Sequence, residues 1–314
     1  MAKRRWAVAL LLLAAPAVAR AETIYIVYTT VGAAIQTLAT LDSATPGTVT
    51  NVGPITGLQT GDQIEGIDFR PATGELFAIT LSTVDPFPSR LYTIDPATAA
   101  ATQRGIDNQF SLMGGLFGMD FNPVVDLIRV VSSGGLNLRL DPNDGTLAFT
   151  DTNLAYAVGD PKEGDDDDVG ALAYTNNVDG AMSTTAYVID DGDGPTANLA
   201  TLVPPNDGVL NTVGTDLGPS IGDHHFDISP NTGIAFAALD VANNSFSLYT
   251  VNLATGVAAV VGLIGNGSLV LSGMSVLARE ASIPEIPTLP SGGLVLLALL
   301  LGAVGLLIVT RQLR

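Results

Sequence analysis

Three aspartates occupy one place in a motif that recurs along the chain. They are Asp68 in Gly66-Ile67-Asp68-Phe69-Arg70-Pro71, Asp120 in Gly118-Met119-Asp120-Phe121-Asn122-Pro123, and Asp227 in His225-Phe226-Asp227-Ile228-Ser229-Pro230. Weaker copies put Ala173 and Ser275 at the same place. Carboxylates gathered from several repeats around one axis offer the hard oxygen ligands that Ca²⁺ takes. That would make a metal site of Asp68, Asp120 and Asp227, and a metal-dependent enzyme working in a central channel. The other reading is that each aspartate accepts hydrogen bonds from backbone amides in its own or the neighbouring repeat, since buried carboxylates need partners.

The remaining candidates are weaker. Asp165 to Asp168 form an acidic run, and Asp190-Asp191-Gly192-Asp193-Gly194 an acidic loop without the alternating spacing and distal Glu of an EF-hand, so both read as solvated loops. His224 and His225 are the only histidines; adjacent in a strand, they point to opposite faces and do not ligate one ion. No Gly-x-Ser-x-Gly turn and no Gly-x4-Gly-Lys phosphate loop is present. With no cysteine, thiol nucleophiles, disulfides and zinc–thiolate centres are excluded. The strand tyrosines Tyr28, Tyr92, Tyr174, Tyr187 and Tyr249 read as packing. No catalytic residue and no cofactor-binding residue is assigned, and Ca²⁺ is the one cofactor under consideration.

The elements that must position these residues follow from the repeat itself. Copies begin at 66, 118, 171, 225 and 273, a near-constant period of the size of a propeller blade. Within a period the alternation of apolar and small polar residues marks four strands, separated by turns such as Pro71-Ala72-Thr73-Gly74 and Asp95-Pro96-Ala97-Thr98. The segment from Thr23 to Val52 offers three strands and lacks the first, while Ser272 to Ala278 supplies that type alone. The expected fold is therefore an all-β propeller over 22–280, with five four-stranded blades closed by a C-terminal strand that completes the first blade. A sixth blade would have to hide in 150–168. A β-sandwich leaves the even period unexplained.

The two ends carry address signals. In residues 1–21, Lys3, Arg4 and Arg5 precede a short apolar stretch, and Ala19 and Ala21 stand where a signal peptidase reads small residues, which places the cut after Ala21. Residues 292–310 are an uncharged apolar run long enough to span a bilayer, and the tail 311–314 carries Arg311 and Arg314, so the positive-inside rule puts the tail in the cytoplasm and the domain outside. Between them, 281–291 is a proline-punctuated linker. Setting the terminal basic residues aside leaves seven basic against 31 acidic residues, a net of −24, which repels nucleic acid.

Two resemblances add to this. Ile286-Pro287-Thr288-Leu289, the hydrophobic segment and the arginine-bearing tail together resemble the IPTL-type sorting signal, similar to the PEP-type signals that exosortases process in Gram-negative bacteria. The resemblance implies a sorting protease as partner and a final address at the cell surface or outside it. The chain departs from the usual motif in continuing with Pro290-Ser291-Gly292-Gly293. The central domain resembles the bacterial family known as domain of unknown function 4394. The matching stretches include 68–74, Leu91 to Thr98, Asp120 to Asp126, Ile128 to Val131, Asn137-Leu138-Arg139, Leu154-Ala155-Tyr156, Ala173 to Asn176 and Pro204-Pro205-Asn206. That resemblance implies a propeller-like fold and no particular activity. The reading that unites these features is an exported, surface-sorted, non-catalytic binding or matrix-associated propeller. Its alternatives are the Ca²⁺-dependent channel enzyme and a permanently tethered periplasmic adaptor.

Overall fold

A computed structural model describes residues 21–278, apart from 85, 166–167, 193–195, 220 and 242–244. The chain forms a five-bladed β-propeller. Blade 1 takes β1 (Thr23–Thr30), β2 (Thr37–Asp42) and β3 (Val49–Pro54) from the N-terminal side. Blade 2 is β4 (Asp62–Phe69), β5 (Leu76–Ser82), β6 (Ser89–Ile94) and β7 (Ala101–Arg104). Blade 3 is β8 (Phe117–Asn122), β9 (Leu127–Ser132), β10 (Asn137–Leu140) and β11 (Leu147–Thr150). Blade 4 comprises β12 (Ala155–Tyr156), β13 (Val169–Tyr174), β14 (Ala186–Asp190), β15 (Asn198–Leu202) and β16 (Val209–Val213). Blade 5 is β17 (His224–Ile228), β18 (Ala235–Asp240), β19 (Phe246–Val251) and β20 (Ala258–Leu263), after which β21 (Leu269–Val276) returns to blade 1.

The closure is the expected one. β21 pairs antiparallel with β1, Ile24 facing Val276 and Ile26 facing Met274, so blade 1 is built from both ends of the domain. The innermost strands contact one another in a closed circle, β21–β4–β8–β13–β17 and back to β21. The connection 150–168 holds no sixth blade. It gives β12, which pairs parallel with β16 and makes blade 4 five-stranded rather than four-stranded.

Each blade buries both faces, and the core is accordingly divided into five clusters, one at each blade junction. Blades 1 and 2 meet through Val27, Leu38, Ile64 and Tyr92; blades 2 and 3 through Phe77, Phe121 and Val130. Blades 3 and 4 meet through Val131, Leu172 and Tyr174, blades 4 and 5 through Leu199, Phe226 and Ala237, and blades 5 and 1 through Phe246, Leu248 and Ile26. Strands buried on both sides read as near-continuous apolar runs, as Leu76 to Leu81 does. Outer strands are managed as edges: β3, β11 and β20 each carry a bulge against their neighbour, and β12 covers blade 4.

Among the described residues the only helical element is a single 3-10 turn, Pro205–Asp207, and no helix is long and apolar enough to cross a membrane. The expected signal peptide 1–21 except its last residue, the expected linker with Ile286, Pro287, Thr288 and Leu289, and the segment 292–310 lie outside the described residues.

Candidate functional site

An innermost strand pairs on one side only, so its axial edge leaves backbone N–H groups that need acceptors. The recurrent aspartates answer that need. Asp68 on β4 accepts from the Phe121 amide of blade 3 at 2.9 Å. Asp120 on β8 accepts from the Tyr174 amide of blade 4 at 2.9 Å. Asp227 on β17 accepts from the Val276 amide of blade 1 at 2.6 Å. Ser275 on β21 does the same with its hydroxyl, taking the Phe69 amide of blade 2 at 3.4 Å. Thus each of four blades reaches forward to the same amide of the next. Ala173 has nothing to offer blade 5, and the waiting Ile228 amide turns instead to Asp227 Oδ1 of its own strand at 2.6 Å.

The belt also crowds carboxyl groups. Asp68, Asp120 and Asp227 are all buried, and the Ser275 hydroxyl lies 2.9 Å from Asp68 Oδ1 and 3.2 Å from Asp227 Oδ2. One hydroxyl proton cannot serve both, so full satisfaction requires a proton on a carboxyl. In keeping with this, burial pushes Asp68 up to about 6, and burial together with the neighbouring carboxylates lifts Asp120 and Asp227 well above the usual range. Among the described residues, no group of three His, Cys, Asp or Glu side chains is placed to hold a metal ion.

Above the belt the channel narrows to a cavity of about 10 Å³, room for one water, lined by Gly66, Gly118, Ala171, His225 and Gly273 at one level. Small residues are needed there because the next blade is close: a Cβ on Gly118 would lie 2.7 Å from the backbone of Ala171 and Leu172. His225 is the exception at this level. Its ring stacks on Phe246, 5.9 Å between centroids.

The mouth of the channel, where the innermost strands begin, gathers a second set around His225, of which the sequence reading did not single out Glu65, Gln36 and Asp223. Glu65 is the bulge residue of β4, unpaired between Ile64 and Gly66, and a bulge re-aims a side chain. Gln36 fixes that bulge: its Oε1 accepts from the Ile64 amide at 2.7 Å, and its Nε2 donates to Ile64 O at 2.9 Å and to Ser272 Oγ at 2.8 Å. Burial, and then the charge of Asp223, push the Glu65 carboxyl up to about 7. Asp223 Oδ1 stands 3.9 Å from His225 Nε2, a buried atom without a hydrogen-bond partner. His224 points the other way, its Nδ1 near Gly222 O and its Nε2 near Ile189 O, as adjacent strand positions require. The one available signal for Glu65 was a charged residue in front of the recurrent glycine.

Two other expectations change. Asp190 is not part of a solvated loop: it is wholly buried at the end of β14, accepting from the Tyr156 hydroxyl and from the Asp168 and Gly192 amides. Tyr92 and Tyr174 do pack, and their hydroxyls also serve buried ion networks. Tyr92 donates to Asp62 at 2.7 Å, and Tyr174 accepts from Arg129 Nε at 2.7 Å. Arg129 is 1% exposed and spends its remaining donors on Asn137, Asp151, Pro205 O and Asn206. Asn137, Tyr174, Pro205 and Asn206, drawn from separate stretches of the chain, thus converge on one guanidinium at the junction of blades 3 and 4.

Residues 37–274 match the family model described as Domain of unknown function (DUF4394). The chain belongs to this family. Within the DUF4394 match, Asp68 and Asp120 lie on the axial belt, and Asn137, Tyr174, Pro205 and Asn206 surround Arg129. No curated protein matches the chain. Among solved structures, it is similar to a candidate exo-beta-1,3-galactanase from Bifidobacterium bifidum s17, with 8% identity, TM-score 0.50, and 76% of this chain and 87% of that one covered. It is also similar to an engineered GH43 glycoside hydrolase with endo-xylanase and exo-arabinofuranosidase activity, with 10% identity, TM-score 0.50, and 76% and 50% covered. A candidate 6-phosphogluconolactonase from Bacteroides uniformis ATCC 8492 aligns over 78% of this chain and 83% of that one at 15% identity and TM-score 0.41. At these identities the likeness bears on the fold of the DUF4394 chain and on nothing further.

Proposed function

We propose that this DUF4394 chain is an exported propeller that is sorted to the cell surface and acts there by binding rather than by catalysis. The observation that carries the reading is the filled axis. At the level above the belt the channel has room for one water, and Asp68, Asp120 and Asp227 each commit one oxygen to an amide of the next blade. Such a channel takes no substrate into its interior, which leaves the mouth and the outer faces for recognition. The signal-like N-terminus, the IPTL-like segment and the net of −24 agree with export and exposure to solvent. Mass spectrometry of the mature protein tests the route. A chain starting at Glu22 and lacking 292–314 is expected, whereas a retained tail would make it a tethered periplasmic adaptor.

A second reading is favoured by one observation, the elevated Glu65 beside Asp223. A carboxyl raised toward neutrality can act as a general acid. Turnover of an aryl glycoside by the purified chain, abolished in Glu65→Gln, would replace binding by catalysis. For the Ca²⁺-dependent variant of that reading, calorimetric titration at millimolar Ca²⁺ is the test, with no heat expected from the belt.

A further inference from the structure

We infer that two copies of this chain associate through an uncharged sector of the propeller, with β20, the outer strand of blade 5, at the centre of the contact. The inference goes beyond the binding reading and does not depend on it. Its first ground is charge. Residues 62–240 hold 27 acidic and six basic residues, whereas 241–278 hold none of either and 23–61 hold Asp42 alone. The fold brings the two uncharged stretches together: β21 pairs with β1, and Phe246 and Leu248 join Ile26 in the cluster where blades 5 and 1 meet. One side of the ring, made of β19, β20 and blade 1, is thus almost devoid of charge. Two such molecules repel where blades 2 to 4 approach one another, and meet without that repulsion through blades 5 and 1.

The second ground is what this side exposes. Val257, Val260, Val261 and Leu263 are 53%, 66%, 39% and 43% exposed, and β20 has β19 as its one neighbour in the sheet. Other outer strands are guarded. β12 lies along β16, Thr56 bridges to Ala100 beside β7, the Arg139 guanidinium sits 4.0 Å over the Phe149 ring of β11, and β3 exposes the polar Thr50 and Asn51. On β20, among the described residues, the cover is confined to its start, where Leu217 O takes the Ala258 amide at 2.9 Å. An open edge offers its N–H and C=O groups to another strand. A twofold arrangement sets β20 of one copy antiparallel to β20 of the other, uses the same patch twice and closes after two copies. A standard interface takes about 800 Å² from each copy, more than a short strand alone provides. The uncharged turn between β2 and β3 extends the patch: a Cβ on Gly262 would lie 3.3 Å from Pro46, whose carbonyl accepts the Gly265 amide at 3.0 Å.

The chain has no cysteine, so a single introduced one reports proximity. The full chain is oxidised in the cells that produce it, once as Val260→Cys and once as Met182→Cys, whose position in blade 4 is 93% exposed. A disulfide-linked dimer is expected from the first and not from the second. Sedimentation velocity of the full chain in detergent gives an independent readout. The dimer is expected to tighten as NaCl rises from about 0.1 M to about 1 M, because the screening length falls from about 10 Å to about 3 Å and the acidic blades repel less. Val260→Glu, on an exposed side chain, is expected to weaken the dimer at least tenfold while the circular dichroism melt stays in place. Val178→Glu, exposed on blade 4, should leave it unchanged. A monomer at both salt concentrations, equal linking through both cysteines, a dimer that loosens with salt, or unchanged association in a folded Val260→Glu chain would each overturn the inference. A monomer that still binds whole cells loses the dimer and keeps the binding reading. A dimer that binds no cells does the reverse.

Discussion

At the scale of single residues, the belt and the mouth make separate demands. Asp120→Ala leaves the Tyr174 amide buried without an acceptor, and urea unfolding is expected to show a loss of about 1–3 kcal/mol. The raised carboxyls tie stability to pH. A carboxyl raised in the folded state holds a proton that the unfolded chain has released, so its contribution is complete below the ordinary carboxylate range and drains away as pH rises through the folded value. For Asp68 the window runs from 3.8 to about 6, and for Glu65 from 4.5 to about 7. Denaturation midpoints should fall across that span, and Glu65→Gln should flatten its upper part. His225 acts in the opposite sense: its depressed value makes its contribution present above 6.5 and lost on acidification. The aspartates were legible in the sequence as a recurrent position, together with both of their possible roles. Their direction was not, because it depends on which edge of the strand lacks a partner. Gln36 was invisible and Glu65 nearly so for a related reason: a bulge and a glutamine from another blade bring them to the mouth, and neither bulge nor glutamine belongs to the repeat.

At the scale of elements, glycine separates inner strands from outer ones. Gly118→Ala on β8 forces a Cβ against the backbone of blade 4 and is expected to cost about 1–3 kcal/mol. Gly53→Ala on β3, where nothing lies within 4 Å, should change stability by no more than about 0.5 kcal/mol. Thermal melts of the two variants compare inner and outer packing directly. Much of the blade plan was legible, since turns such as Pro71 to Gly74 and the period-two alternation mark the hairpins. Strand ends moved by a few residues: the last strand runs Leu269–Val276 rather than from Ser272 to Ala278, because its bulge at Ser272 lets pairing with β1 continue on both sides. β12 escaped notice because two residues pairing parallel leave no periodic pattern. Arg129 escaped notice because an arginine within Ile128-Arg129-Val130-Val131 discloses neither its burial nor its partners from blade 4.

At the scale of the molecule, closure depends on one strand. A chain ending at residue 268 lacks β21, and with it the inner strand of blade 1, the Val276 amide for Asp227 and the Ser275 hydroxyl for Phe69. Such a chain is expected to lose cooperative unfolding in circular dichroism and to be cut rapidly in limited proteolysis. The wider consequence concerns connectivity. The Leu277 amide donates to Thr23 O at 2.9 Å, so the first and last strands of the domain finish side by side. In topological terms the propeller is a circle whose opening falls inside blade 1 rather than between blades. A short bridge across that opening, with a new break in a loop joining two other blades, yields a circular permutant in which every blade is continuous in sequence. The covalent chain would then close blade 1, and the newly made gap would be held by the apolar cluster between its two blades together with any belt contact that crosses it.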